Sequence, residues 1–355
     1  MRSPILEHDP DRPAQLLQAG DWQLAAHFGD IALECAAALE EAAIRDASHL
    51  SRIDFSGADH LDFLHRMTTN SFNDLLVGQG LLAVFPDSRG RIVEVGMFHR
   101  ISAETTRFVG APDAARKLPA WLDRYVFAEE IEWVDRSADS LMLEMLGPKS
   151  LAVCSEVIGV AAEAIPPSGC VLTDQGLGVV RSDLGPILRL HIFGQIDDSI
   201  RLWDNLIEFG IQPAGELAVE SLRVLSGIPG SDELNEDHNP WEAGVPHAVH
   251  LDKGCYIGQE VIARLDTYDK VKQRLVGLEL AAAELPAEGA GICADGRPVG
   301  NITSAVYSPT LARNIALAYV RKAFTEPGTR LLLDGEGDAM STEATVVDLP
   351  FDTSA

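Results

Sequence analysis

Apolar and polar residues alternate along this chain with two repeats, one close to a helical turn and one of about two residues. From Ile31 to Arg45 the run is alanine-rich, with Leu33, Ala36, Ala37, Leu39 and Ala43 at helical spacing, and a helix is predicted over 31–45. Positions 49–55 read as a short strand with Ile53 and Phe55 on one face, and Ser56-Gly57 turns the chain. A helix over 58–67 gathers Leu61, Leu64 and Met67 on one side. Gly78-Gln79-Gly80 breaks the chain before a strand at 81–85, residues 86–90 turn, and 91–100 forms a second strand, together a hairpin with a five-residue loop.

Helical spacing returns over 111–125, followed by strands near 131–134 and 141–146 and a helix opening near Pro148. Pro166-Pro167-Ser168-Gly169 marks a loop, strands are predicted at 178–182 and 187–192, and helices at 198–208 and 215–225. Residues 226–246, rich in Gly, Pro, Asn and acids, read as an irregular loop, and 257–265 as helical. From Lys272 onward short strands replace helices, at 274–280, 297–304, 315–320 and 330–333, which suits a small antiparallel barrel. The pattern is α+β, with a domain change near residue 270: a region 1–270 and a C-terminal β-barrel domain 271–355.

The formal net charge of −26 favours solubility, and with no block of Lys or Arg it argues against direct binding of nucleic acid. The five cysteines, Cys35, Cys154, Cys170, Cys255 and Cys293, are odd in number and widely spaced. Neither a disulfide framework nor a metal site held by this chain alone is expected from them. Glu7, His8, Asp9 and Asp11 interrupt any apolar leader, and no apolar run reaches the ~18 residues of a membrane span, so the expected location is cytoplasmic. Walker A, dinucleotide, zinc-protease and serine-hydrolase motifs are absent.

Among the cysteines, Cys255 stands out. Gly254 before it permits a tight turn, Lys253 brings a positive charge, and a helix opens just after it; a cation and a helix N-terminus both favour thiolate over thiol. The alternative is a small buried side chain in a turn. His238, His247 and His250 precede it, as activating partners or as plain loop residues. Gln259-Glu260 could orient a ligand or serve as the polar first turn of a helix. Glu94 shares a strand face with Ile92 and Gly96, where it either meets a cavity, binding the polar edge of a pterin or acting as a base, or lies in water. Arg223, beside Leu222 and near Leu225 on a helix, could pair with a ligand carboxylate or with a surface acid.

Four stretches, colinear over roughly residues 30–335, resemble the YgfZ-type branch of the glycine-cleavage T-protein (aminomethyltransferase) superfamily. They are Phe63 to Asn70 followed by Gly78-Gln79-Gly80 and Gly90-Arg91-Ile92; Ser221-Leu222-Arg223 running into Ser226 to Pro229; Lys253-Gly254-Cys255-Tyr256-Ile257-Gly258-Gln259-Glu260 continuing to Arg264; and Gly300 to Ser304 with Ser308-Pro309 and Ala316 to Val320. The octapeptide Lys253–Glu260 marks the branch most specifically. The resemblance implies two intertwined folate-binding α+β subdomains plus the barrel, around a central cavity. It implies tetrahydrofolate or a one-carbon derivative as ligand and a role in iron–sulfur cluster assembly or repair, including for enzymes that modify tRNA.

Two departures bear on chemistry. The T protein has two consecutive acids after its Gly-Gly turn where this chain has Glu94-Val95, and its Gly-Tyr-Thr-Gly-Glu run has no counterpart around Arg181 to Gly185. The leading expectation is therefore a folate-dependent factor for iron–sulfur client proteins, with Cys255 as its working residue, Glu94 and Arg223 as folate contacts, and any enzyme activity left open. The alternatives are a tetrahydrofolate-dependent aminomethyltransferase or other one-carbon transferase, for which an acid such as Glu94 is needed, and an interaction scaffold that needs neither. Clients, folate form and oligomeric state are not written in the sequence.

Overall fold

Nine consecutive residues, Ile92–Arg100, form a strand whose side chains are buried on both faces as far as His99. A run this apolar, Ile-Val-Glu-Val-Gly-Met-Phe, fits a strand covered on both sides and carries its one acid inward with it. The strand belongs to a five-stranded sheet ordered Gly80–Pro86, Ile92–Arg100, Thr105–Gly110, Ser51–Ser56, Glu132–Asp135. Helices His60–Met67 and Ala114–Leu122 supply Phe63, Leu64, Leu118 and Leu122 to the core on one side of this sheet, against Phe85, Phe98 and Phe108.

The computed structural model describes residues 1–182, 184–333 and 342–353, and the chain divides into two compact units, each discontinuous in sequence. The first comprises 1–86, 93–218 and 247–257. Besides the five-stranded sheet it holds a six-stranded one, ordered Cys170–Leu172, Gly178–Ser182, Arg189–Gly194, Leu141–Leu146, Ala43–Asp46, Gln212–Pro213. One face of that sheet packs Ile44, Leu143, Leu190 and Ile192 with Trp203 of helix Ile196–Glu208. Its other face carries a buried ionic network: Glu144 accepts from Arg45 and from Arg189 (3.0 Å), and Arg45 also reaches Glu216 (2.9 Å). Burial opposes ionisation of Glu144, but Arg45 and Arg189 hold its carboxyl well below the usual range.

The second unit comprises 87–92, 219–246 and 258–355. Its centre is a closed antiparallel barrel of Gln273–Leu280, Arg313–Arg321, Arg297–Ser308, Gly291–Ala294, Arg330–Leu333 and Thr342–Val347. Leu278, Ile292, Ile302, Ala316, Ala318 and Val346 fill it. The segment 271–355 lies wholly in this unit, which also takes in helix Gln259–Thr267, the irregular stretch 226–246 and the turn 87–92.

The α+β class and the C-terminal barrel agree with the sequence pattern. The helix predicted over 31–45 does not run its full length: it ends at Glu40, and Ala43–Asp46 is a strand paired with Leu141–Leu146. The alanines that favour helix end before the strand, which reads Ala-Ile-Arg-Asp, and Ile44, fully buried there, is β-branched. The helix expected near Pro148 is a single turn, Ser150–Val153, running into a π-type turn Cys154–Ile158. Strands Gln15–Ala19, Trp22–His27, Thr105–Gly110, Cys170–Leu172, Gly291–Ala294 and Thr342–Val347 add to those the pattern indicated. Asp183, within the stretch compared with the Gly-Tyr-Thr-Gly-Glu run, lies outside the described residues.

Candidate functional site

Helix His60–Met67 of the first unit stops at Thr68, whose extended backbone (φ −125°, ψ 170°) leads the chain away and leaves the last carbonyls without helical partners. The segment 247–257 of the same unit fills that gap. The Lys253 ammonium donates to the carbonyls of His65, Thr68 (2.7 Å) and Asn70 (2.6 Å), and sits 5.0 Å from the centroid of the Tyr256 ring. Three carbonyls match the three N–H donors of a charged ammonium. Lys253 is only 8% exposed, and burial pushes its pKa down to about 7. Tyr256 is buried beside it, its hydroxyl pushed up to about 12 by the same cause. Thr69 completes the seam: its Oγ1 donates to the Ala248 carbonyl (2.6 Å) and its own carbonyl accepts from His250 N (2.9 Å).

The sequence placed the Lys253 charge at the service of the neighbouring sulfur. In the fold its head is turned inward onto backbone carbonyls. A buried cation takes the nearest unpaired acceptors, and the end of a helix offers several. Its work here is to hold the loop that presents Cys255. Cys255 is exposed, whereas Cys35, Cys154 and Cys170 are buried and Cys293 is intermediate. Burial pushes the thiols of Cys154 and Cys170 up to about 11.

The three candidate histidines have separate surroundings. His238 belongs to the second unit, stacked on Tyr319 with ring centroids 3.5 Å apart and 3.2 Å from Gln273 Nε2. His247 is exposed, and His250, also exposed, accepts from Asp252 N at 3.2 Å. A fourth histidine lies closer to the loop. His65 Nε2 is 3.4 Å from the point where a side chain on Gly254 would begin. His65 is 8% exposed, and its Nδ1 accepts from Phe72 N (3.3 Å). Position 65 is four after Leu61, on the apolar side of the helix.

Glu94 is 5% exposed. Its Oε1 accepts from Val95 N (3.1 Å); its Oε2 has no hydrogen-bond partner, with Lys117 Nζ at 3.5 Å. Burial pushes the carboxyl up to about 7 against the pull of Lys117. The water-facing alternative for this residue is thus replaced by an interior one. Arg223, in the second unit, donates from Nε and Nη2 to Glu220 (2.7 and 2.6 Å), from Nη1 to the Ile228 carbonyl (2.7 Å) and Glu233 (3.1 Å), and from Nη2 to Ser304 (2.6 Å). All five N–H donors of the guanidinium are engaged.

The octapeptide ends in the second unit. Gly258, with φ +76°, is the N-cap of helix Gln259–Thr267, and a Cβ there would stand 2.3 Å from the Asp87 carbonyl. Only glycine fits. Gln259 is half-buried and Glu260 exposed in the first helical turn. Among the described residues no group of three or more His, Cys, Asp or Glu is arranged to hold a metal ion, and no helix is long and apolar enough to cross a membrane.

The fold has counterparts in known proteins. Residues 8–176 match the GCVT N-terminal domain, and residues 273–352 match the glycine cleavage T-protein C-terminal barrel domain. The chain carries both domains of the glycine-cleavage T-protein family. An aminomethyltransferase of Symbiobacterium thermophilum is 29% identical, covering 99% of this chain and 96% of its own length. One from Bacillus subtilis is 26% identical, covering 99% and 98%. An Arabidopsis thaliana chloroplastic protein named as a "Putative transferase" is 33% identical over 78% of this chain, and the match spans 65% of the plant protein. The crystal structure of glycine cleavage system aminomethyltransferase T from Bartonella henselae superposes with a TM-score of 0.90 at 20% identity, covering 99% of this chain and 98% of that one, which establishes the fold.

Proposed function

We propose that this protein is a YgfZ-type member of the family: it binds tetrahydrofolate or a one-carbon derivative, and its function is the support of iron–sulfur cluster assembly or repair in client enzymes, those that modify tRNA among them. The observation that carries this reading is the exposed Cys255, presented on a loop anchored by the buried Lys253. Folate chemistry alone does not call for such a thiol; a protein that meets sulfur- and metal-containing clients does.

The residues fit a folate. A pterin edge offers N–H donors, and the unpartnered Oε2 of buried Glu94 is an acceptor in need of one. Near pH 7 the Glu94 carboxyl can carry or release a proton. Arg223, in the second unit, has its guanidinium engaged by Glu220, the Ile228 carbonyl, Glu233 and Ser304. A bound reduced folate supplies a carrier for a one-carbon unit.

Aminomethyl or other one-carbon transfer is the second reading, favoured by the full-length relatives named aminomethyltransferase and by the poised Glu94. Against it stands Val95, apolar and buried where the T protein has a second acid. One experiment tests the folate common to both readings, and the next ones separate them. Saturating tetrahydrofolate should raise the melting temperature of the full chain, because a ligand that binds only the native state stabilises it. Complementation of a strain lacking its own YgfZ-type gene should fail with Cys255→Ala. Full rescue by Cys255→Ala, together with methylene-tetrahydrofolate formation in a reconstituted glycine-cleavage reaction, would establish transfer instead.

A further inference from the structure

We propose that the layer between the two sheets of the first unit holds a binding site for a small 2-hydroxy or 2-amino carboxylate, gripped side-on by the Arg189 guanidinium with His191 and His99 beside it. The site uses none of the residues assigned above to folate or to clients.

Arg189 and His191 stand two residues apart on strand Arg189–Gly194, on one face, and His191 is paired across the sheet with Glu144. Glu144 Oε1 accepts from both, from Arg189 Nη1 at 3.0 Å and from His191 Nε2 at 3.3 Å. The Nε–Nη2 edge of Arg189 and Nδ1 of His191 have no hydrogen-bond partner among the described residues, although Arg189 is only 9% and His191 only 7% exposed. The other sheet contributes His99 of strand Ile92–Arg100, wholly buried, with neither ring nitrogen partnered. Burial first, and then the neighbouring His191, push the pKa of His99 down to about 3, so its ring is neutral. Apolar side chains close the layer around the group, Met142 and Phe193 from the one sheet with Val109 from the other.

Five buried nitrogens on three neighbouring side chains are more than a packed interior leaves unbonded. Nε–H and Nη2–H of one guanidinium are parallel donors, the fork that matches the two oxygens of a carboxylate. The charges agree with an anion. Glu144 is the one carboxylate within ion-pair distance of Arg189 among the described residues, and it is shared with Arg45, which has Glu216 besides. A desolvated guanidinium with a half share of one carboxylate gains from a second. His191 sets the other requirement. A carboxylate oxygen only accepts, so the hydrogen of the neutral His191 ring is on Nε2 and its Nδ1 presents a lone pair. That lone pair calls for a donor, which a hydroxyl or amino group next to the ligand carboxylate supplies. A phosphate would bring two negative charges to a single guanidinium in an apolar layer, which costs more than a carboxylate. These nitrogens are sealed from solvent, so the ligand enters as the layer opens locally.

The test is the melting of the full-length protein, by calorimetry, with glycolate, with acetate and with sodium chloride at equal ionic strength. Glycolate at ten times its dissociation constant should raise the melting temperature by roughly 3–6 °C over chloride, and saturably, because a ligand that binds only the folded state stabilises it. Acetate, which lacks the hydroxyl, should bind about threefold to tenfold more weakly. Arg189→Lys keeps a cation for Glu144 and loses the fork, and should lower glycolate affinity about tenfold or more. No saturable shift with either carboxylate overturns the proposal, as does glycolate binding unchanged in Arg189→Lys. Acetate binding as tightly as glycolate overturns the part assigned to His191. If Arg189→Lys does not fold, a crystal structure of the wild-type protein grown with glycolate decides: glycolate on Nε and Nη2 of Arg189 supports the site, and ordered water alone on them overturns it.

Discussion

Replacing Glu94 with glutamine isolates the energetics of one buried carboxyl. In the folded protein this group ionises near 7 and in the unfolded chain near 4.5. Between those values the unfolded state has released its proton and the folded state has not, so stability is greatest below about 4.5 and falls as pH rises towards 7. The displacement is worth about 3 kcal/mol once pH exceeds 7. Glu94→Gln removes the ionisation and keeps an oxygen to accept from Val95 N. At pH 8.5 the variant should be more stable than wild type by up to about 3 kcal/mol, a melting shift of roughly 5–10 °C for a unit of this size. At pH 4.5 the two should melt together. Scanning fluorimetry or calorimetry across pH 4.5–9 measures the difference. A melting difference independent of pH, or a variant less stable than wild type at pH 8.5, would refute the reasoning. The same variant should bind tetrahydrofolate more weakly, because the acceptor offered to the pterin then competes with an amide donor.

Other substitutions probe the remaining features. Gly258→Ala should destabilise the second unit by about 2 kcal/mol or more, from a left-handed backbone and the approach to the Asp87 carbonyl, seen as a lower urea midpoint. Lys253→Met should cost about 2–4 kcal/mol by leaving carbonyls at the end of helix His60–Met67 unpaired, and should scatter the Cys255 alkylation rate without unfolding the barrel. Glu144→Leu should cost about 3–5 kcal/mol, since Arg45 and Arg189 lose a shared buried partner. Cys255→Ala should leave the melting temperature within about 1 °C, the sulfur being exposed.

The barrel was legible in the chain because four of its six strands read as short apolar runs set off by turn residues, whereas Gly291–Ala294 and Thr342–Val347 did not stand out. The strand Ala43–Asp46 was not, because its conformation is imposed by Leu141–Leu146, about a hundred positions away, on residues that are equally content in a helix. Cys255 was visible through its motif. The direction of the Lys253 head was not, since the carbonyls that attract it belong to residues 65–70 and nothing in the local sequence names them. His65 stood in a quoted motif, yet its nearness to Gly254 becomes apparent only in the fold. Arg223 looked available for a ligand in part for the same reason: Ser304, one of the groups that occupy it, lies 81 positions away, although Glu220 is one helical turn off.

The return of residues 247–257 to the first unit, after the chain has entered the second, sets an order on synthesis. A nascent chain that has emerged as far as Ala218 has made both sheets of the first unit but still lacks the lysine that closes the end of helix His60–Met67. Thirty-nine more residues separate Ala218 from Ile257. At about 5–20 residues per second they take roughly 2–8 s to follow. Throughout that interval the carbonyls of His65, Thr68 and Asn70 lack the ammonium that binds them in the complete fold. The loop bearing Cys255 is therefore the last part of the first unit to be made, and a chain cut short before Lys253 would present neither the loop nor its cysteine.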